Sequence, residues 1–363
     1  MDGNAVYGYQ LKRSSDRISS LMRGESIDRV PLFPLHVSGF SAVNTGLPLG
    51  SMYSDPEKSF WAQVRTQEQY GYEYMPVYGY AAYGAWELGG NVKFPAGEWD
   101  QAPSIIQYPI NSEEDIERIE AEGLPDVRTR GSIPLSMAFS LLQERHGLPI
   151  VFQCGTPFTR AVNACGVEKL LRWILKKPSL AHRVIHLMTD HFLDAAKYWV
   201  DAFGAERLMP YSGNPTESNQ MLSPRHFQEF ALPYAKELHR KVLAMGVRRF
   251  QFHVCGNQNL NLPYLKELPM GDPAIMSFGH EMDITEILKH FGETAVIVGN
   301  VDPSIIQTGS PDDVYQRARL CIEKGKHAPR GFMLSQSCEL PPKAPPYNVY
   351  MMKKAVEDFG FYD

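Results

Sequence analysis

The feature that most constrains this chain is a strand–helix alternation that recurs along its whole length. Short runs rich in Val, Ile, Phe, Leu, Met or Tyr fall at Pro31–Val37, Tyr72–Val77, Pro149–Cys154, Arg207–Ser212, Arg248–Val254, Ala274–Phe278, Ala295–Gly299 and Gly331–Ser335. Short apolar runs of this kind read as strands buried on both faces. Between them lie helical patterns with their own punctuation. Pro56–Tyr70 follows Ser54 and Asp55, two capping residues, and has Pro at its start. Ser223–Met245 opens on Ser-Pro-Arg and closes on Gly246, Pro311–Lys324 lies between Ser310 and Gly325, and Val349–Phe359 closes the chain. Eight strands, each followed by a helical segment, predict a parallel sheet closed into one (β/α)8 barrel, with residues 1–363 as a single domain. The second unit is oversized. Residues 78–130 hold a Tyr/Gly-rich loop and a charged segment, Ser112–Glu122, read as an insertion over the barrel mouth.

Composition narrows the function classes. Hydrophobic residues make up 44% of the 363, too many for a disordered chain. Thirty-six Lys and Arg against 41 Asp and Glu, with basic clusters no longer than the pairs Lys176-Lys177 and Arg248-Arg249, exclude nucleic acid as a partner. No run approaches the ~18 uncharged apolar residues of a membrane helix. The opening MDGNAVYGYQLKRSSDR lacks the apolar core of a secretory signal. Five cysteines (Cys154, Cys165, Cys255, Cys321 and Cys338) are too few for a disulfide scaffold, and the expected compartment is the reducing cytoplasm.

In a barrel of this type the chemistry sits at the C-terminal ends of the strands. There the sharpest feature is His253-x-Cys255 at the end of the fifth run. Residues two apart on a strand share a face, so an imidazole and a thiolate converge on one point. Cys338 lies 83 residues after Cys255, three past the eighth run, which faces the fifth across a closed barrel. One His and two Cys suit Zn²⁺ and leave a fourth position open, the catalytic arrangement. The residues alone also admit buried thiols, a structural histidine, or a Cys255–Cys338 disulfide. Cys165 and Cys321 fall in helical stretches and read as core, and Cys154, at the end of the third run, reads as core as well.

Several stretches carry a resemblance that covers the chain from Arg17 onward. They are RISSLMRGESIDRVPLFP, CGTPFTRAVNACGVEKLLRWILKKP, LSPRHFQEFALPYAKEL, FQFHVCGN, VGNVDP with TGSPDDV, and GFMLSQSCELPPKAPPYN. Together they resemble the uroporphyrinogen decarboxylase superfamily, and within it the zinc-containing, corrinoid-dependent methyltransferases. The resemblance implies zinc on His253, Cys255 and Cys338, the last in a Cys…Pro…Pro…Asn context. It implies methyl transfer between cobalamin carried by a small corrinoid-protein partner and a small molecule, either a thiol acceptor or a methyl-ether or methylamine donor. Zinc would hold an acceptor thiol as thiolate or polarise a methyl donor, with no nucleophile supplied by this chain. Decarboxylases of the family carry an N-terminal Arg-rich segment for substrate carboxylates, whereas no Arg lies between Arg29 and Arg65 here. A decarboxylase is therefore the first rival reading, and a non-catalytic subunit that binds a corrinoid protein is the second.

Other residues are expected around the site. Glu217, in SGNPTESN after the fourth run, is a candidate fourth zinc ligand, with Asn214 and Asn219 placed to orient substrate. Asn300 and Asp302 end the seventh run, and Asp302 could fix the tautomer of a ligating His. His280 and His36 are further candidates at strand ends. Tyr70–Trp86 holds six tyrosines and one tryptophan with no charge between Glu73 and Glu87, so Tyr78, Tyr80, Tyr83 and Trp86 are expected to wall the substrate. Such rings suit an aryl methyl ether or, by cation–π attraction, a methylammonium group. Exposed helix faces on such barrels often pair, so a homodimer is a further expectation.

Overall fold

The computed structural model describes residues 16–73, 76–97 and 100–363. A two-stranded antiparallel hairpin comes first, β1 (Asn91–Lys93) with β2 (Ser104–Gln107). The centre of the molecule is a six-stranded sheet of β3 (Ile150–Gln153), β4 (Leu208–Gly213), β5 (Gln251–Val254), β6 (Ala274–Phe278), β7 (Ala295–Val301) and β8 (Phe332–Gln336). Every pair in it is parallel and the spatial order follows the chain, β3-β4-β5-β6-β7-β8, as expected when each strand returns through a helical crossover. All residues of β3 and β5 to β8 are buried, which is why these runs lack the polar alternation of a half-exposed sheet.

The first two apolar runs behave differently from the other six. Residues 31–37 join the β8 edge through one parallel bridge, Leu32 to Leu334, with Phe33 N–H donating to Leu334 O at 2.8 Å and Leu334 N–H to Pro31 O at 2.9 Å. The second run, of which residues 74–75 lie outside the described residues, is tied to the first where Glu73 N–H donates to Leu32 O at 2.8 Å. Its far end is held by side chains. Gln63 bonds both the N–H and the C=O of Val77 at 3.0 Å, and Gln143 donates to Pro76 O at 2.8 Å. The reason is local: Pro31, Pro34 and Pro76 have no N–H to give, so a continuous ladder cannot form there. The α/β fold with a parallel sheet agrees with the sequence reading. Among the described residues, a ladder closing all eight runs into a ring is not formed.

The helices begin and end where their caps direct. Asp55 accepts from Lys58 N–H at the head of Pro56–Tyr70, and Gly71 ends it in the left-handed region. Ser310 and Asp313 form a capping box on Pro311–Gly325. Within the expected helix Ser223–Met245, residues Phe227–Ala231 form a π-helical turn ahead of Leu232–Ala244, where Pro233 deprives the α-helical ladder of one donor. In the 78–130 segment, the hairpin is followed by a helix at Glu113–Glu122 and a further helix begins at Ile133. No helix among the described residues is long and apolar enough to cross a membrane.

Candidate metal centre

On β5, side chains alternate between the two faces of the sheet. Phe250 and Phe252 face the helix Leu232–Ala244, with ring centroids 3.9 and 5.8 Å from that of His239. His253 therefore points to the opposite side, and Cys255 follows in the same phase. The parallel register sets His253 beside Ser277 of β6, and His253 Nδ1 lies 2.9 Å from Ser277 Oγ. With Nδ1 engaged, the other ring nitrogen, Nε2, is buried with no hydrogen-bond partner.

Backbone contacts fix the two thiols. Cys255 N–H donates to Asn214 Oδ1 at 3.2 Å, and Asn214 is held by a reciprocal amide pair with Gln258 at 2.8 and 3.1 Å. Cys338 lies two residues beyond β8, between Ser337, whose N–H donates to Val301 O at 2.8 Å, and Leu340, whose N–H donates to His36 O at 3.1 Å. The two sulfurs are 3.9 Å apart, so both cysteines are free thiols and no disulfide joins them. The nitrogen of His253 and the sulfurs of Cys255 and Cys338 all lie within 4.8 Å of one another. The hydrogen bond from Cys255 favours thiolate at Cys338, and the same contact holds the Cys255 thiol protonated.

These donors fit a borderline-soft cation. A lone pair on a buried imidazole has no protein partner, two thiols share one proton at close range, and a zinc ion would satisfy all three groups at once. Glu217 is not in this group. Its carboxyl is fully buried beside Thr159, whose Oγ1 lies 3.4 Å from Oε1, and burial pushes it up to about 7 despite hydrogen bonds from Thr156, Asn214 and Thr159. The expected fourth ligand is thus turned inward, beneath the helix Pro157–Cys165.

The three donors open on a cavity of about 250 Å³, whose other walls include His36, Tyr80, Gln153, Arg160 and Tyr211. His36 is the one non-glycine residue with positive φ (44°) among the described residues, and that conformation turns its ring inward, Nε2 lying 2.6 Å from Tyr211 Oη. Burial, with the nearby His253 charge second, pulls His36 down to about 4, so it stays neutral. Glu339, beside Cys338, also lines the cavity, and burial followed by the Cys338 charge raises its carboxyl to about 8. A larger cavity of about 800 Å³, lined by Arg207, Arg248, Arg249 and Arg330, lies at the N-terminal ends of the strands and holds none of these donors.

The remaining expected residues divide. Tyr80 reaches the cavity wall. Tyr78 instead packs on Phe139 and donates to Tyr53 O at 2.6 Å, Tyr83 stacks on Phe192, and Trp86 packs on Phe94. Burying such large rings wins over exposing them to the site. Asn214 positions Cys255, as above, while Asn219 accepts from Leu260 N–H at 3.0 Å. His280, Asn300 and Asp302 line a separate cavity of about 320 Å³. Asp302 caps the helix Pro303–Thr308 and faces His280 at 3.7 Å, so Ser277, not Asp302, is the partner of His253. Cys154 and Cys165 are buried, as expected, and burial raises both thiols; Cys321 is buried too. Arg160, Gln153, Glu339 and Ser277 had no expected role, and only a residue's place beside a motif (Glu339 after Cys338) could have drawn attention to one of them.

Fold and site together define a parallel α/β protein with a cluster of one imidazole and two thiols, a candidate metal site, at the C-terminal ends of its strands. The chain belongs to the uroporphyrinogen decarboxylase family, which it matches over residues 13–359. It is 28% identical over 236 residues to a methylated-thiol–coenzyme M methyltransferase of Methanosarcina mazei, an alignment covering 63% of this chain and 59% of that protein. It is 23% identical over 352 residues to a methylcobamide:CoM methyltransferase of Methanosarcina acetivorans, covering 95% of this chain and 98% of the relative. Among solved structures, a methyltransferase from Methanosarcina mazei superposes with a TM-score of 0.78 at 22% identity, over 95% of this chain and 98% of the other, a likeness of fold.

Proposed function

We propose that this protein is a zinc-dependent methyltransferase that moves a methyl group between a corrinoid carried by a partner protein and a small molecule. The observation that carries the reading is the convergence of a ring nitrogen of His253, Cys255 Sγ and Cys338 Sγ within 4.8 Å at the edge of a small cavity. Relatives named as methylcobamide:CoM and methylated-thiol–coenzyme M methyltransferases support it. When bound, zinc supplies Lewis acidity that keeps an acceptor thiol ionised near neutral pH or polarises a methyl donor.

The chain's own residues do the rest by holding geometry. Ser277 fixes the ring of His253 so that Nε2 faces the cavity, and Asn214 with Gln258 fixes the backbone of Cys255. Neutral His36 and Tyr211 line the cavity without adding a charge that would compete with the ligand thiolates. In this reading residues 31–37 and 76–77 wall the remaining side of a barrel whose ladder is continuous only from β3 to β8, in a single domain of the cytoplasm. Relatives named uroporphyrinogen decarboxylase also match this chain, at 25–28% identity over about half of it, but its arginines disfavour that reading. Arg17 and Arg29, the arginines nearest the first run, are committed to Glu73, and the first run itself has none.

Metal content of the full-length protein by plasma mass spectrometry, beside His253→Ala and Cys338→Ala, tests the reading. About one zinc per chain is expected, lost in both variants, together with loss of methylcobalamin demethylation in the presence of a thiol. A wild-type protein that takes up no zinc, or a Cys338→Ala protein that keeps full activity, would overturn it.

A further inference from the structure

We propose that Arg160 and Gln153 form an anion-recognition subsite in the metal-lined cavity, which selects small molecules carrying a carboxylate or sulfonate. That the ligand is the methyl donor or acceptor rests on the reading above; the subsite itself rests on a guanidinium that lies 5.8 Å from the Tyr83 ring centroid but that no carboxylate pairs.

Arg160 lies in the first turn of the helix Pro157–Cys165 and is only 6% exposed. A guanidinium has five N–H donors. Nη1 donates to Ala81 O at 2.9 Å and to Tyr83 O at 3.5 Å, and Nη2 makes a long 3.4 Å contact with Gln153 Oε1. The Nε–H is buried with no acceptor. Among the described residues, no carboxylate comes within ion-pair distance of Arg160. The acids whose fields reach it are Glu87 and Glu217. Glu87 is already taken by Gly84 N–H and by the N–H and hydroxyl of Ser132, at 2.6 to 2.8 Å, and Glu217 lies against Thr159. Elsewhere in this molecule a buried charge is treated differently: Glu73, equally buried, carries both Arg17 and Arg29.

A buried, uncompensated cation is costly unless an opposite charge reaches it. Arg160 lines the same cavity as His253, Cys255 and Cys338, so the missing charge can enter there. Gln153 completes the cradle. Its Oε1 faces Arg160, and its side chain lines the same cavity. Guanidinium and amide donors side by side match the planar or trigonal oxygens of a carboxylate or sulfonate. Cavity size limits the guest to a few heavy atoms between that anionic end and the metal-facing end.

The test is binding of probe compounds to the full-length, zinc-loaded protein by calorimetry. The probes are 3-mercaptopropionate, 2-mercaptoethanesulfonate and the neutral 3-mercaptopropan-1-ol. Charge-assisted hydrogen bonds predict that an anionic thiol binds about ten- to a hundredfold tighter than the neutral one, and comparing the two anions identifies the preferred headgroup. Arg160→Met should erase that preference while zinc content stays at the wild-type value, and Arg160→Lys should restore part of it. Equal binding of all three probes by wild type, or an unchanged preference in Arg160→Met with zinc retained, overturns the subsite. If Arg160→Met does not fold, as judged by circular dichroism, Gln153→Leu decides, and an undiminished preference there overturns the proposal too. Ethanesulfonate, which has no thiol, separates this proposal from the methyl-transfer reading. Arg160-dependent binding of ethanesulfonate by a protein that takes up no zinc would sustain the subsite while the zinc mechanism fails.

Discussion

Replacing Ser277 with Ala removes one oxygen that touches no substrate, and should nonetheless weaken metal binding. The register between β5 and β6 brings Ser277 Oγ to 2.9 Å from His253 Nδ1, and Ser277 is buried at 1% exposure. Without it, Nδ1 is left in a dry environment with no partner, which costs about 1–3 kcal/mol. The tautomer that presents the Nε2 lone pair also loses its stabilisation. Outer partners of ligating histidines are worth about 10–100-fold in metal affinity, which corresponds to about 1.4–2.7 kcal/mol, so the two routes to the magnitude agree. Competition against a chromophoric zinc chelator measures the affinity directly, with Ser277→Thr as the variant that keeps the hydroxyl. Ser277→Ala should release zinc to the chelator at least about tenfold more readily, with circular dichroism unchanged. An affinity within twofold of wild type, measured where His253→Ala has lost its zinc, would mean that His253 is not held through Nδ1, and would refute the geometry argued for the centre.

Two further perturbations probe the scaffold. Glu73→Ala removes the buried carboxylate shared by Arg17 and Arg29 and the acceptor of Leu32 N–H at 2.6 Å; it should lower unfolding stability by about 3 kcal/mol in chemical denaturation and leave zinc content unchanged, whereas loss of zinc would place that cluster in the site. Acid sensitivity follows from two fully buried histidines, His191 and His239, which burial pulls down to about 4 and about 3. Both stay neutral in the native state while the unfolded chain takes up protons below about pH 6.5, so their stability is full above that pH and is lost as the pH falls towards 4 and 3. Between pH 7 and 5 each should cost about 2 kcal/mol of stability. His239→Leu should flatten that dependence in urea titrations at the two pH values, and an unchanged slope would show that burial does not set its protonation.

What the sequence disclosed about this molecule was what depends on period and order. Apolar runs at strand length gave the six ladder strands to within a few residues, and the two-residue period of a strand put His253 and Cys255 on one side. Cys338 could be added because a closed ring of eight runs would face the end of the eighth towards the end of the fifth. The first two runs are equally apolar, but apolarity says nothing of donors, and Pro31, Pro34 and Pro76 prevent the ladder that the pattern suggested. Register was out of reach in the same way. Ser277 meets His253 only because β6 pairs with β5 in one particular alignment, and a shift by one residue would have put Met276 or Phe278 there. Glu217 looked like a ligand because it follows a strand end, yet the 3₁₀ turn Pro215–Glu217 folds it inward beside Thr159. Arg160 was hidden for a deeper reason. In the sequence it is one cation among 36, and its meaning lies in which acceptors do not reach it, a property of the folded chain. The metal group and the unpaired guanidinium are therefore two readings of one cavity: three donors without a cation, and one cation without an anion. A single guest with a sulfur or methyl-bearing atom at one end and an acid at the other would answer both.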